Sequence, residues 1–183
     1  MHIMHNNIVE IGKKWIPFGF LSVVLCGLVY LTAQQSLRLS ANNPQIQMAE
    51  DTAASINNAT EPLLLVPQGS VNLATSLSPY LAIFDASGTP IAGNGLLEGK
   101  LPSLPAGVFN YTRTAGEDRF TWQPRTGVRN AVVLIHTNSP TASFVLAGRS
   151  LREVEAQENQ LAVDVGIALI TTLIGTFLFA LLL

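Results

Sequence analysis

Two long apolar runs, one near each end, constrain this chain more than any other feature. Trp15–Ala33 carries no charge over about 19 residues, enough for roughly 28 Å of helix, close to the hydrocarbon thickness of a bilayer. Leu161–Leu183 is interrupted only by Asp164, and its remaining length still spans about 30 Å. Both read as transmembrane helices. The expected organisation is a cytoplasmic tail over residues 1–14, a span over 15–33, an extracytoplasmic domain over 34–160 and a second span over 161–183. Charged residues make up only 12% of the chain, but the deficit sits in the two runs, and the segment between them has an ordinary globular composition.

Orientation follows from the flanks. Lys13 and Lys14 precede the first run, so the positive-inside bias keeps the N-terminus cytoplasmic and, with two spans, the C-terminus too. Trp15 and Tyr30 sit near the run's ends, where amphipathic rings prefer the interface. A cleaved signal peptide has the same layout, but its best site, Leu31-Thr32-Ala33, has Leu where a small residue is wanted, which favours an uncleaved anchor. Asp164 falls in the first turn of the second run. There a carboxylate stays hydrated and favours a helix N-terminus; a proton-transfer role is the sharper alternative. Gly19, Ser22 and Cys26 in the first run, and Gly166, Thr171, Thr172, Gly175 and Thr176 in the second, would let helices approach closely in lipid; the alternative is that small residues occur here at their ordinary membrane frequency. Leu181-Leu182-Leu183 bears no basic residue, so the chain either stops at the inner interface or is a piece of something longer.

The net charge of -2 provides no basic field for nucleic acid. The lone Cys26 excludes an intrachain disulfide or a cysteine-built metal site. The expected cofactor set is none. The histidines are His2, His5 and His136, so histidine-based catalysis outside the membrane would depend on His136 alone. Nucleotide-binding glycine loops and metalloprotease signatures do not occur.

Between the runs, Asn42-Asn43-Pro44 predicts a helix break, because a residue before proline avoids the helical region and Pro44 suits a new first turn. Ile46, Ala49, Ala53 and Ile56 then recur at helical spacing in an amphipathic helix ending near Asn57. Leu63–Val66 fits a buried strand or a turn of helix. Tyr80–Phe84, the turn Asp85-Ala86-Ser87-Gly88 and Thr89–Ala92 predict a β-hairpin whose glycine takes the left-handed conformation. Gly93–Gly107 reads as a loop. Strands are expected at Phe109–Thr114, Arg119–Gln123, Ala131–Ile135 and Phe144–Gly148. Ser150 and Glu153 form a capping box for an exit helix that continues into the second run. The fold class is α+β: two transmembrane helices flanking a small domain of about five antiparallel strands and an N-terminal amphipathic helix.

The hairpin Ala82–Ala92 and the closing strand that leads into a membrane helix resemble the extracytoplasmic PAS-like sensor domains called Cache or PDC domains, which lie between two spans in bacterial receptors. The resemblance covers Tyr80–Arg152. It implies a bacterial, non-enzymatic sensor or binding module in the cytoplasmic membrane, coupled through its transmembrane helices to a membrane-protein partner or a second copy. It also implies a ligand pocket between the sheet and the loop-helix segment after the hairpin, which is short and proline-rich here (Gly99–Pro105). Asn58-Ala59-Thr60 and Asn110-Tyr111-Thr112 match the glycosylation sequon but read as chance matches in a bacterial protein. The alternative function is a structural or assembly subunit whose outer domain docks a partner protein.

The residues most suited to a ligand are Tyr111, Arg113, Trp122 and Arg129, with Arg119 and Arg125 nearby. Aromatic rings beside guanidinium groups suit a small anion. The plainer alternative is that these arginines pair with Glu117 and Asp118 on strand faces, and that Phe120 and Trp122, two apart, share a core face.

Overall fold

The computed structural model describes residues 2–182; Met1 and Leu183, the outermost residues of the expected tail and second span, lie outside them. In order, the chain forms helix α1 (His2–Asn57), helix α2 (Pro62–Leu65), strand β1 (Val71–Asn72), strand β2 (Tyr80–Phe84), strand β3 (Pro90–Gly93) and strand β4 (Gly95–Leu96). Helix α3 (Ala106–Ala115), strand β5 (Glu117–Arg125), strand β6 (Val128–His136), strand β7 (Phe144–Ser150) and helix α4 (Arg152–Leu182) complete it. The fold is α+β, in two compact units. One is the chain up to Leu39 together with Val154 onward, and the other is Ser40–Glu153.

The first unit is a pair of helical segments. Both α1 and α4 are long and apolar enough to cross a membrane, with mean hydropathy of 2.1 and 2.4 over their most apolar stretches. Only 11% and 6% of those stretches is buried, unlike the core helix of a globular domain. Trp15 donates from Nε1 to Thr176 Oγ1 at 3.1 Å and to the Leu173 carbonyl at 3.3 Å, and its ring meets Phe177 edge-on. A buried indole N–H needs such an acceptor, and in an apolar surrounding nothing else supplies one. Gly19 lies beside this contact, where an added Cβ would make only ordinary van der Waals contact with Trp15 and Leu173, at 3.5–3.7 Å. Arg38 pairs with Glu158, an exposed bridge that contributes little. Asp164 departs from expectation. α4 begins at Arg152, three turns earlier, so no helix terminus favours its carboxylate; Gln160 Nε2 donates to it at 2.8 Å instead.

The second unit is built on a five-stranded antiparallel sheet in the order β3-β2-β7-β6-β5, with β1 and β4 as a separate parallel pair. The two local hairpins, β2–β3 and β5–β6, are joined by β7, which lies between them. Alternation gives the sheet two buried faces. Leu81, Ile83, Val133, Val145 and Ala147 face Ala49, Ala53 and Ile56 of α1. Tyr80, Ala82, Phe84, Val132, Leu134, Phe144 and Leu146 face Phe109 of α3, Leu73 and Leu104. Central strands covered on both sides read as continuous apolar runs, as Tyr80–Phe84 does.

Four local expectations are corrected. No break occurs at Asn42–Pro44: α1 continues to Asn57. Pro44 forfeits one backbone hydrogen bond, but Ala49, Ala53 and Ile56 on the following turns are held against the sheet, and tertiary packing outweighs a local breaker. The strand expected at Phe109–Thr114 is helix α3. Its alternating Phe109, Tyr111 and aromatic-rich surroundings suggest a period of two, yet only Phe109 and Thr112, three apart, are buried. Gly93–Gly107 is not all loop, since it contains β4 and the first turn of α3. At the exit, Ser150 Oγ accepts from the Arg152 amide at 3.3 Å, but Glu153 does not complete a capping box; it pairs with Arg149 at 2.7 Å.

Candidate functional site

The hairpin turn is tied down chemically as well as sterically. Asp85 Oδ1 accepts from the amides of Ser87 and Thr89 at 2.8 and 2.9 Å and from Ser87 Oγ at 2.6 Å. Those donors, the Ser87 hydroxyl first, hold its carboxyl below the usual range. Gly88 has φ of 84°, and a Cβ there would fall 2.7 Å from Phe109, so both conformation and space call for glycine.

Arg113, on α3, reaches this turn. Its Nη2 donates to the Ala86 carbonyl at 2.9 Å, its Nη1 to Asn110 Oδ1 at 3.1 Å, and its guanidinium lies 5.3 Å from the centre of the Phe144 ring. Tyr111, on the same helix, is exposed. Trp122 is half-buried on β5 and, with Phe120, packs against the core on the α3 side of the sheet. Arg129 lies on β6 one residue out of phase with Val128 and Val132, and so on the opposite face from Trp122. The four expected ligand residues therefore divide: Tyr111 and Arg113 share α3, Trp122 belongs to the same side of the sheet, and Arg129 does not. Arg119 pairs with Glu117, and Arg125 pairs with Glu98 at 2.9 Å. His136 stands 5.1 Å from the Phe144 ring.

An open groove of about 540 Å³ runs along β5, between Leu97, the 101–105 segment, Trp122 and Pro124. The short proline-rich segment thus borders a concavity of ligand size. Trp122 is the one expected ligand residue that lines it.

Beside that wall lies a feature that sequence reading missed. On β6, Val128, Asn130, Val132 and Leu134 point to the α3 side, and Asn130 is a polar residue in an otherwise apolar stripe, paired in register with Trp122. It is fully buried, and neither Oδ1 nor Nδ2 has a hydrogen-bond partner among the described residues. Tyr80 is 1% exposed and its hydroxyl is equally unpartnered. Its ring lies across β7. A Cβ on Gly148 would meet Tyr80 Cζ and OH at 2.5 Å and Val132 at 2.7 Å, which directs the phenol toward the β6 stripe carrying Asn130. Gly95 leaves room at the base of the ring, where a Cβ would fall 2.3 Å from Cδ2. Burial pushes the Tyr80 pKa well up, so the group remains a neutral phenol. The signal available in the sequence was Asn130 at an inward position between Val128 and Val132.

Comparison with protein families, with curated proteins and with solved structures finds no match to this chain.

Proposed function

We propose that this chain is a membrane-anchored, non-enzymatic sensor or binding module whose sheet domain lies outside the cytoplasmic membrane and is coupled through its membrane helices. The observation that carries this reading is topological. The two segments that resemble a Cache-type domain, hairpin β2–β3 and closing strand β7, are adjacent in the sheet, and α4 starts two residues after β7 ends. The covered face of the sheet next to the groove supplies a place for a small ligand. A lateral partner, a second copy or another membrane protein, would read the signal in the bilayer.

Placement is tested at Ser87, which is exposed at the hairpin tip. A Ser87→Cys variant lacking Cys26 (Cys26→Ser) is expected to react with a membrane-impermeant thiol reagent in intact cells. Labelling only after lysis would overturn the arrangement. Coupling is tested by inserting two glycines after Glu155. The altered chain is expected to fold and insert but to fail to complement a deletion of the gene; full complementation would reduce α4 to an anchor.

A second reading, an assembly subunit, is favoured by one observation. Leu63 and Leu64 of α2 are 67% and 79% exposed on the sheet-domain unit, an apolar pair that a docked protein would cover. Recovery of a stoichiometric protein partner from membranes, lost in a Leu63→Ser/Leu64→Ser variant, would favour it.

A further inference from the structure

The two unpartnered groups on the α3 side of the sheet are unusual enough to require an occupant. Buried hydroxyls and amides are nearly always paired, and leaving one unpaired is destabilising. Asn130 presents two donors and an acceptor, and Tyr80 a hydroxyl that both donates and accepts, with none of these used among the described residues. Conventional packing would place Leu and Phe here, and the rest of the stripe is apolar. The positions are also closely shaped. A Cβ at Gly95 would strike the base of the Tyr80 side chain and one at Gly148 its hydroxyl end, so the ring lies across β7 with its hydroxyl near Val132.

We infer that Tyr80 and Asn130 hold a small, uncharged, hydrogen-bonding guest on this face of the sheet, beneath Trp122 and next to the groove along β5. The guest is neutral because both groups are neutral; of the arginines on that side, Arg125 is paired with Glu98, and Arg113 is engaged by the Ala86 carbonyl, Asn110 and the Phe144 ring. It is small because both residues are fully enclosed. Water satisfies this chemistry, and so does the polar end of a small neutral organic molecule whose remainder lies in the groove. Trp122 lines the groove and is the register partner of Asn130, and so is the residue a larger guest would displace. The inference deepens the binding-module reading, but a guest could be present without any signal leaving the domain. The glycine insertion after Glu155 judges that reading, and the experiment below judges the guest.

The test uses the full chain purified in detergent. A high-resolution crystal structure is expected to show non-protein density within hydrogen-bond distance of both Tyr80 OH and the Asn130 amide. A single peak identifies water. Extended density running past Trp122, with a matching small molecule in the denatured supernatant by mass spectrometry, identifies an organic guest. In parallel, Tyr80→Phe is expected to lower the melting temperature and remove that density, because the hydroxyl has a partner to lose. Asn130→Leu and the double variant should be less than additive with it if both groups share one guest. If Asn130→Leu does not fold, Tyr80→Phe alone decides. Empty density together with a Tyr80→Phe protein that melts higher than the parent would overturn the inference, since removing a guestless buried hydroxyl relieves an unpaired group.

Discussion

Replacing Gly148 with alanine is expected to lower the melting temperature of the sheet domain by roughly 10–20 °C. The added Cβ would lie 2.5 Å from Tyr80 Cζ and OH and 2.7 Å from Val132 Cγ1. Overpacking a well-filled core typically costs about 1–3 kcal/mol, occasionally more. Gly148 lies at the upper end because β7 is central and both groups that the Cβ would strike, Tyr80 and Val132, are fully buried. Against a typical margin of about 5–15 kcal/mol, such a loss takes much of the stability. The measurement is a thermal or chemical melt of the purified protein followed by near-ultraviolet circular dichroism. Two comparisons isolate the cause. Gly107→Ala, in α3 with nothing within 4 Å of its Cβ, should be neutral or slightly stabilising. Gly148→Ala combined with Tyr80→Leu should recover part of the loss. A wild-type melting curve for Gly148→Ala alone would mean that the Tyr80 ring does not lie where described.

Val133→Asp should be at least as damaging, by a different mechanism. Val133 is 2% exposed, on the sheet face that receives Ala49, Ala53 and Ile56 from α1. An aspartate there would neighbour Arg119, its register partner on β5, but that guanidinium is half-exposed and already paired with Glu117, and burying a carboxylate without a full partner costs several kcal/mol unless it takes up a proton. The variant is therefore expected to be unfolded at neutral pH and partly rescued near pH 4–5, where the carboxyl becomes neutral. Val133→Ala, which only leaves a cavity, should cost far less and show no such pH dependence. Equal melting temperatures for Val133→Asp and Val133→Ala at pH 7 would place this side chain outside the core.

Legibility of the fold tracked how local its causes are. The hairpin β2–β3 was readable because Asp85 and Gly88 specify the turn by their own chemistry, through the Asp85 carboxylate bonds and the positive φ of Gly88. The runs around Val132 and Val145 were readable because strands buried on both faces are apolar throughout. The errors came where distant partners decide. Phe109–Thr114 has strand-like composition, but Phe109 packs on Phe84 and Phe144, with ring centres 5.2 and 5.1 Å away, and this docking selects the helical spacing of Phe109 and Thr112. Pro44 is a local breaker inside a helix whose later turns are held by the sheet. The site followed the same rule. Trp122 was identified as inward-facing from its spacing to Phe120, whereas Arg113 and Arg129 were grouped by proximity in sequence and the fold puts them on different elements. Tyr80 and Asn130 are 50 positions apart, and what brings them to one face is the pairing of both β2 and β6 with β7.

That position of β7 also dictates an order of events during synthesis. The hairpins β2–β3 and β5–β6 can each close as soon as they emerge, but neither touches the other in the finished sheet. Ala82 finds its neighbour in Leu146, 64 positions later, and the strand that supplies it is the last of the seven to leave the ribosome. Until then two half-sheets wait with bare inner edges, and closing so long a loop is slow. The segment that follows β7 is α4, so the moment at which the domain can first become whole is also the moment at which the second apolar helix begins to be made.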